Sequence, residues 1–377
     1  MGKLCEDAFL DLLRAGLWEH EVQLLPYGEL DFEAIMQLAE EQSVVGLVAA
    51  GIEHVVDGRP AKKDVMQFIG RTVQMEQRNQ AMNDFIGGLV DKMRVEGIEA
   101  VLVKGQGVAQ CYERPLWRAC GDVDFFLDAK NYERAKGLLT PFASSVEEEY
   151  VREKHQGINI DSWVIELHGS LYSGLSSRIE RELDEVYRET FESVGEKRFW
   201  YNGDKKVRLL SMENDVFYVF THILQHFYKG GIGLRQICDW CRLLFRYRRE
   251  LDLAKLEHKL RRAGLMNEWN AFGTFAVRYL GLPDEAIPFY DVSSFKEEKR
   301  WRRKAEHIKK FIMMSGNMGH NRNHSYFEKY PYLVRKCISL AYRVGDMINH
   351  ARIFPIDSLR FFPKMLVNGV SSVVRGE

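Results

Sequence analysis

Gly97-Ile98-Glu99-Ala100-Val101-Leu102-Val103-Lys104-Gly105-Gln106-Gly107, and then Gly121-Asp122-Val123-Asp124-Phe125-Phe126-Leu127, are the stretches that decide the fold of this chain. Each is a short apolar run entered from a glycine, the pattern of a buried strand. A helical stretch to Tyr112 lies between them. Downstream, Tyr132 to Leu139 reads as a helix, and Val146 to Glu153, Gly157 to Ile160 and Trp163 to His168 read as further strands. Strand, helix, strand, helix and then strands make a small α/β or α+β sheet core over residues 96–175.

On either side the period changes from two to that of helices. Residues 1–95 carry apolar side chains three and four apart over Asp7 to Leu17, Asp31 to Gln42 and Lys62 to Gly97. Residues 176–377 return to the same pattern over Asn214 to Tyr228, Leu234 to Tyr247, Asp252 to Ala263 and Asn267 to Leu280. One hairpin interrupts them, Arg198 to Tyr201 and Val207 to Leu210 around Asn202-Gly203-Asp204, an Asn-Gly turn between apolar runs. The expected fold is α+β: a small mixed β-sheet core flanked by N-terminal and C-terminal helical regions.

Composition narrows the classes. The 377 residues are 46% hydrophobic and 28% charged, a globular balance. With 53 basic and 54 acidic side chains the formal charge is −1, which excludes a broadly basic nucleic-acid coat and disfavours a grip on extended nucleic acid. The apolar run Val44 to Ile52 is too short to span a bilayer. Residues 1–18 alternate charge with apolar side chains and show neither a signal-peptide core nor a cleavage site, and Glu6 stands where a myristoylation motif wants Ser or Thr. A cytoplasmic protein with no membrane partner is expected. Of six cysteines only Cys238 and Cys241 form a CxxC, with no second pair, so they read as buried thiols rather than a zinc site.

The chemistry sits in the core. Residues two apart on a strand point to one face, so Asp122 and Asp124 stand side by side. Two like charges so close need a cation, and hard divalent ions bind such carboxylates together with substrate phosphates. Lys104-Gly105 ends the preceding strand. A glycine-lined turn there admits backbone N–H groups to a phosphate, and Lys104 adds a point charge; the alternative is an ordinary turn with an exposed lysine. In Val164-Ile165-Glu166-Leu167-His168, Glu166 and His168 share the face opposite Ile165 and Leu167. A third metal-facing carboxylate fits Glu166, while His168 reads as a hydrogen-bonding core residue or a helper.

These pieces together resemble a known family. Leu102-Val103-Lys104-Gly105, then Arg118-x-x-Gly121-Asp122-x-Asp124-Phe125, then Ile165-Glu166-Leu167-His168 resemble the minimal nucleotidyltransferase fold of the DNA polymerase β superfamily, and more closely the bacterial "uncharacterised nucleotidyltransferase" family. The likeness continues through His222-Ile-Leu-Gln-His226-Phe, Gly230-Gly-Ile-Gly-Leu-Arg235-Gln-Ile-Cys-Asp239-Trp240 and Gly316 to His320, and covers roughly residues 30–365. In place of the superfamily's Gly-Ser pair the phosphate turn here has Lys104-Gly105 followed by Gln106, without that hydroxyl.

The resemblance implies Asp122, Asp124 and Glu166 as catalytic metal ligands for two Mg²⁺, with Mn²⁺ as a substitute. It implies a nucleoside triphosphate such as ATP as substrate, contacted by Lys104, Gly105, Gly121 and Arg118. Arg118 is equally readable as a structural ion pair, and Gly121 as room for close backbone approach. A hydroxyl of an unknown acceptor, a small molecule or a protein, would attack the α-phosphorus and pyrophosphate would leave. A catalytically weak or inactive nucleotide-binding scaffold is one alternative, and a toxin–antitoxin-type enzyme acting on RNA is another.

His222 and His226, four apart, share a helix face and by spacing alone are core or groove histidines. The family signature implies that they, with His168, Arg235 and Asp239, wall the cleft. Lys296 to Lys310 holds eight basic and three acidic residues and reads as a solvated helix face rather than a nucleic-acid patch. Tyr326 to Tyr332, after His320 and His324, reads as packing around a loop, and Glu147-Glu148-Glu149 as a solvated strand end.

Overall fold

The structure, a computed structural model, describes residues 2–317 and 332–361 apart from positions 152, 194, 196, 230 and 291. His320, His324, residues 326–331, Gly230 of the helical signature and residues 318–320 of the Gly316 to His320 stretch therefore lie outside the described residues.

The N-terminal elements are α1 (Lys3–Trp18), β1 (Val22–Gln23), α2 (Phe32–Glu41), α3 (Val45–Glu53), β2 (Val55–Asp57) and α4 (Lys62–Val95). Asp31 caps α2, its carboxylate accepting from the Glu33 and Ala34 N–H groups at 3.0 and 3.1 Å. The apolar run at Val44 forms α3, buried along almost its whole length. A methyl group at Gly16 of α1 would lie 1.8 Å from the Leu47 carbonyl oxygen of α3, so these helices meet backbone to backbone.

The core follows with β3 (Val101–Val103), α5 (Gly105–Ala109), β4 (Asp122–Phe126), α6 (Ala129–Leu139), β5 (Ser145–Val146), β6 (His155–Ile160) and β7 (Trp163–His168). Helix α5 is shorter than the stretch to Tyr112 suggests. The strand expected over Val146 to Glu153 is confined to β5, because Glu149 turns away: it accepts from the Tyr132 hydroxyl at 2.9 Å and pairs with Lys136 at 2.6 Å, which ties the turn to α6. Strand β6 starts at His155 rather than Gly157.

Then come α7 (Ser177–Phe191), β8 (Arg198–Asn202), β9 (Lys205–Leu209), α8 (Met212–Lys229), α9 (Leu234–Tyr247), α10 (Leu253–Ala263), α11 (Met266–Leu280), α12 (Phe295–Ser315) and α13 (Tyr332–Ile353). Seven strands form one mixed sheet in the order β5-β6-β7-β4-β3-β9-β8. The hairpin β8–β9 extends this sheet, β9 running parallel to β3. The fold is α+β with helical flanks.

One face of β3, β4 and β7 presents Leu102, Val123, Phe125, Ile165 and Leu167, which share a core with Met82, Ile86 and Leu89 of α4 and with Tyr132 and Leu139 of α6. On the other face Val101, Val103 and Phe126 join the core of the helical regions, with Phe126 edge-on to Phe191 at 4.9 Å. Burial on both faces explains why β3 and β4 read as continuous apolar runs. Polar side chains on the second face then form a cleft. No helix among the described residues is long and apolar enough to cross a membrane.

Candidate functional site

The register of the sheet assembles the site. Strands β4 and β7 are parallel, with Asp124 opposite Glu166 and Asp122 opposite Val164. Strand β6 is antiparallel to β7 and sets His155 opposite His168. Asp122, Asp124, Glu166, His168 and His155 therefore emerge on one face, at the floor of a cleft of about 300 Å³ roofed by α8 and α9.

The charges inside are strongly coupled. Asp124 is 1% exposed and holds two donors: Lys104 Nζ at 2.8 Å and His168 Nε2 at 2.9 Å. The Asp122 carboxylate makes no hydrogen bond or ion pair with the described residues. Repulsion from Asp124, together with burial, raises its pKa. Glu166 lies 3.4 Å from both His155 Nε2 and His168 Nε2. Burial pushes its pKa up, but the two histidine hydrogen bonds and the Lys104 charge win and hold it well below the usual carboxylate range. Burial lowers the pKa of His168, yet hydrogen bonds to Asp124 and Glu166 raise it overall. Lys104 behaves alike: burial opposes its charge, and Asp124, Tyr218, Glu166 and Asp122 overcome the penalty.

The backbone that delivers Lys104 is unusual. Its φ of 55° and ψ of −147° fall near a region occupied essentially by glycine, at a cost of about 1–3 kcal/mol. Gly105 follows at φ +43°, where a Cβ would lie 3.3 Å from Cys120 Sγ. The turn is thus pressed against the approach to β4, and it sends the Lys104 side chain into the acidic cleft rather than to solvent. Gly121 is exposed and would meet nothing within 4 Å if it carried a Cβ, which leaves open space beside Asp122.

The helical wall contributes His222 and His226 of α8, with Nε2 atoms 3.1 Å apart, and His222 stands 3.5 Å from Lys104 Nζ. Burial, Lys104 and His226 hold His222 well below its ordinary pKa; burial, Lys104 and Arg235 lower His226 to about 4. Both are neutral near pH 7. Arg235 of α9 donates from Nη1 to the Ala119 carbonyl at 2.8 Å, while its buried Nε has no hydrogen-bond partner. Arg118 is engaged by Asp239, Nε to Oδ1 at 3.0 Å and Nη2 to Oδ2 at 2.6 Å, in a fork that is almost fully buried. The Tyr112 hydroxyl donates to the same carboxylate at 2.7 Å.

Three contributors have no sequence motif. His155 enters because β6 begins early. Tyr218, one turn before His222 on α8, faces Lys104, and burial pushes its hydroxyl up to about 12. Asn79 of α4 donates to the Leu116 and Arg118 carbonyls at 2.7 and 2.8 Å and accepts from Gln106 at 3.0 Å, pinning the loop before β4 to the turn after β3. Cys238 and Cys241 are buried thiols on α9; among the described residues the group spaced to hold a metal ion is His155, Glu166 and His168.

No curated protein and no solved structure matches the chain. A family model described as "Uncharacterised nucleotidyltransferase" matches residues 28–281, a span that contains every strand of the main sheet, the acidic cleft and its helical wall. The chain belongs to this nucleotidyltransferase family, and is an enzyme of that class whose substrate is a nucleoside triphosphate.

Proposed function

We propose that the cleft moves a nucleoside monophosphate from a nucleoside triphosphate to a hydroxyl of a small-molecule or protein acceptor, releasing pyrophosphate, with Mg²⁺ as its cation. The observation that carries this reading is the in-register placement of Asp122, Asp124 and Glu166 on the neighbouring strands β4 and β7.

These residues suit a hard divalent cation. Asp122 is a half-buried carboxylate whose ionisation is opposed by its neighbour and met by no hydrogen-bonded cation among the described residues. On Asp124 the Lys104 ammonium stands where cationic charge is needed. Asp122, Asp124 and Glu166 would hold Mg²⁺, which when bound supplies charge stabilisation to the entering and leaving oxygens of the transferring phosphate.

The chain's own groups do the rest. Glu166, held below its usual pKa by His155, His168 and Lys104, stays an anion, the form in which a carboxylate holds a cation. Lys104, 15% exposed, offsets phosphate charge from inside the cleft, where partial shielding from solvent strengthens its field. Neutral His222 and His226 offer hydrogen bonds without adding charge, suited to a nucleobase or an acceptor hydroxyl. Arg118 acts at one remove: its fork with Asp239 fixes the loop that leads into β4.

The test is transfer of label from an α-³²P nucleoside triphosphate into an acceptor supplied by a cell extract, with Mg²⁺. Transfer by the wild type and its loss in Asp122→Asn plus Asp124→Asn is the expected result. Transfer that survives both substitutions would sink the proposal. The Lys104–Asp124 ion pair favours one other reading, a scaffold that binds nucleotide and transfers nothing; Mg²⁺-dependent binding in a calorimeter without any label transfer would select it.

A further inference from the structure

Beside the carboxylate pair lies a group of different chemistry. His155 Nε2 and His168 Nε2 each stand 3.4 Å from Glu166 Oε2, and one ligand atom from each of the three side chains lies within 4.8 Å of the other two. The side chains come from β6 and β7 in direct register, so sheet pairing fixes their spacing. The two rings are inclined by 31° with centroids 4.7 Å apart, and Tyr150 stacks on the outer face of His155. They are neither sealed nor on the open surface: the side chains of His155, Glu166 and His168 are 23%, 28% and 12% exposed.

The spacing discriminates between ions. Bonds of about 2.0–2.1 Å at a tetrahedral angle place neighbouring ligand atoms about 3.3–3.4 Å apart. Octahedral Mg²⁺ bonds of similar length at right angles need about 2.9–3.0 Å. The two 3.4 Å edges to Glu166 Oε2 fit the tetrahedral spacing, and the His155–His168 edge lies within 4.8 Å. The donor set points the same way: imidazole suits zinc-like transition ions, whereas Mg²⁺ takes oxygen.

From this we infer that His155, Glu166 and His168 form a nitrogen-rich site for a borderline divalent ion of the Zn²⁺ or Co²⁺ type, next to the oxygen ligands Asp122 and Asp124. Three protein ligands leave a fourth position open. A solvent or substrate oxygen fills it. The inference shares Glu166 with the proposed nucleotidyl transfer and deepens that reading by assigning the cleft a second kind of cation, but ion binding here needs no nucleotide.

Cobalt substitution tests it. Co²⁺ is titrated into the metal-free, full-length protein without nucleotide, and the visible ligand-field spectrum is recorded. The expected result is the intense bands of four-coordinate Co²⁺, persisting in a large excess of Mg²⁺, and retained in Asp122→Asn. His155→Ala and His155→Gln should each abolish the bands or weaken Co²⁺ binding about tenfold or more. The glutamine keeps the bulk of the side chain, and far-ultraviolet circular dichroism of the metal-free variants separates ligand loss from misfolding. A spectrum that stays that of the hexaaqua ion overturns the inference. So do bands that Mg²⁺ displaces, that survive both His155 substitutions, or that vanish with Asp122→Asn. Bands without label transfer would defeat the proposed function and leave this site standing; Mg²⁺-dependent transfer without bands would do the reverse.

Discussion

Lys104→Met separates the charge at the centre of the cleft from everything around it. Methionine keeps the Cβ and the unbranched stem, so the strained backbone at position 104 is common to both proteins and cancels. What is lost is the ammonium 2.8 Å from Asp124 Oδ1, between side chains 15% and 1% exposed. At an effective dielectric of about 20 the gross attraction at that distance is about 6 kcal/mol. Desolvation offsets part of it, and removing one partner of a buried pair costs about 3–5 kcal/mol. Unfolding entropy of about 2.1 cal/mol/K per residue over 377 residues is about 0.8 kcal/mol/K, so for one cooperative transition the midpoint should fall by about 4–6 °C in metal-free buffer. Added Mg²⁺ should then stabilise the variant more than the wild type, since no ammonium has to leave Asp124. If displacement costs even about 1.4 kcal/mol, apparent Mg²⁺ affinities differ about tenfold. Differential scanning calorimetry with and without Mg²⁺ measures both effects. An unchanged metal-free midpoint, or an equal gain from Mg²⁺ in the two proteins, would refute the idea that Lys104 stands in for a cation.

Other consequences are open to measurement. Asp239→Asn leaves Arg118 buried without its counter-charge and should cost about 3–5 kcal/mol in urea unfolding; a loss under about 1 kcal/mol would show the fork to be dispensable. His226 is lowered to about 4 in the folded protein against about 6.5 unfolded, so its contribution to stability is complete above pH 6.5 and is lost as pH falls toward 4. That loss amounts to up to about 3 kcal/mol, and His226→Gln should flatten this part of the stability–pH curve; an unchanged slope would contradict the assignment. Asn79→Ala strips the Leu116 and Arg118 carbonyls and the Gln106 amide of a partner and should destabilise by about 1–3 kcal/mol. It should also weaken Mg²⁺–triphosphate binding in calorimetry, because the loop before β4 loosens; unaltered binding would confine Asn79 to a packing role.

The parts of the site visible in the sequence are those written in a strand's period of two. Asp122 and Asp124 share a face with no further information, and so do Glu166 and His168. The apolar residues between them mark the other face as core. His155 escaped because the residues before Gly157 are polar, and polar residues at the start of a strand look like a turn until the cleft they face is known. The partner of Arg118 was invisible for a different reason: Asp239 is 121 residues away, and no local pattern records which of many carboxylates closes a buried fork. Asn79 shows the same limit, its role on α4 existing only through loop carbonyls delivered by the tertiary fold. Helix α7 falls where the helical pattern resumes at about Ser176, but its limits are blurred because charged residues dominate Ser177–Phe191 and Ile179, Leu183 and Val186 carry its phase. The Asn202-Gly203 turn marks the hairpin as local structure, whereas the parallel pairing of β9 with β3 is long-range and turn chemistry does not encode it.

The most direct trial of nucleotidyl transfer at Asp122, Asp124 and Glu166 is a paired experiment with α-labelled and γ-labelled triphosphate, Mg²⁺ and a cell extract. Nucleotidyl transfer requires the α label to move to the acceptor and the γ label to leave in pyrophosphate, with both lost in Asp122→Asn plus Asp124→Asn. Recovery of the γ label on the acceptor, or undiminished α transfer by the double variant, would contradict it.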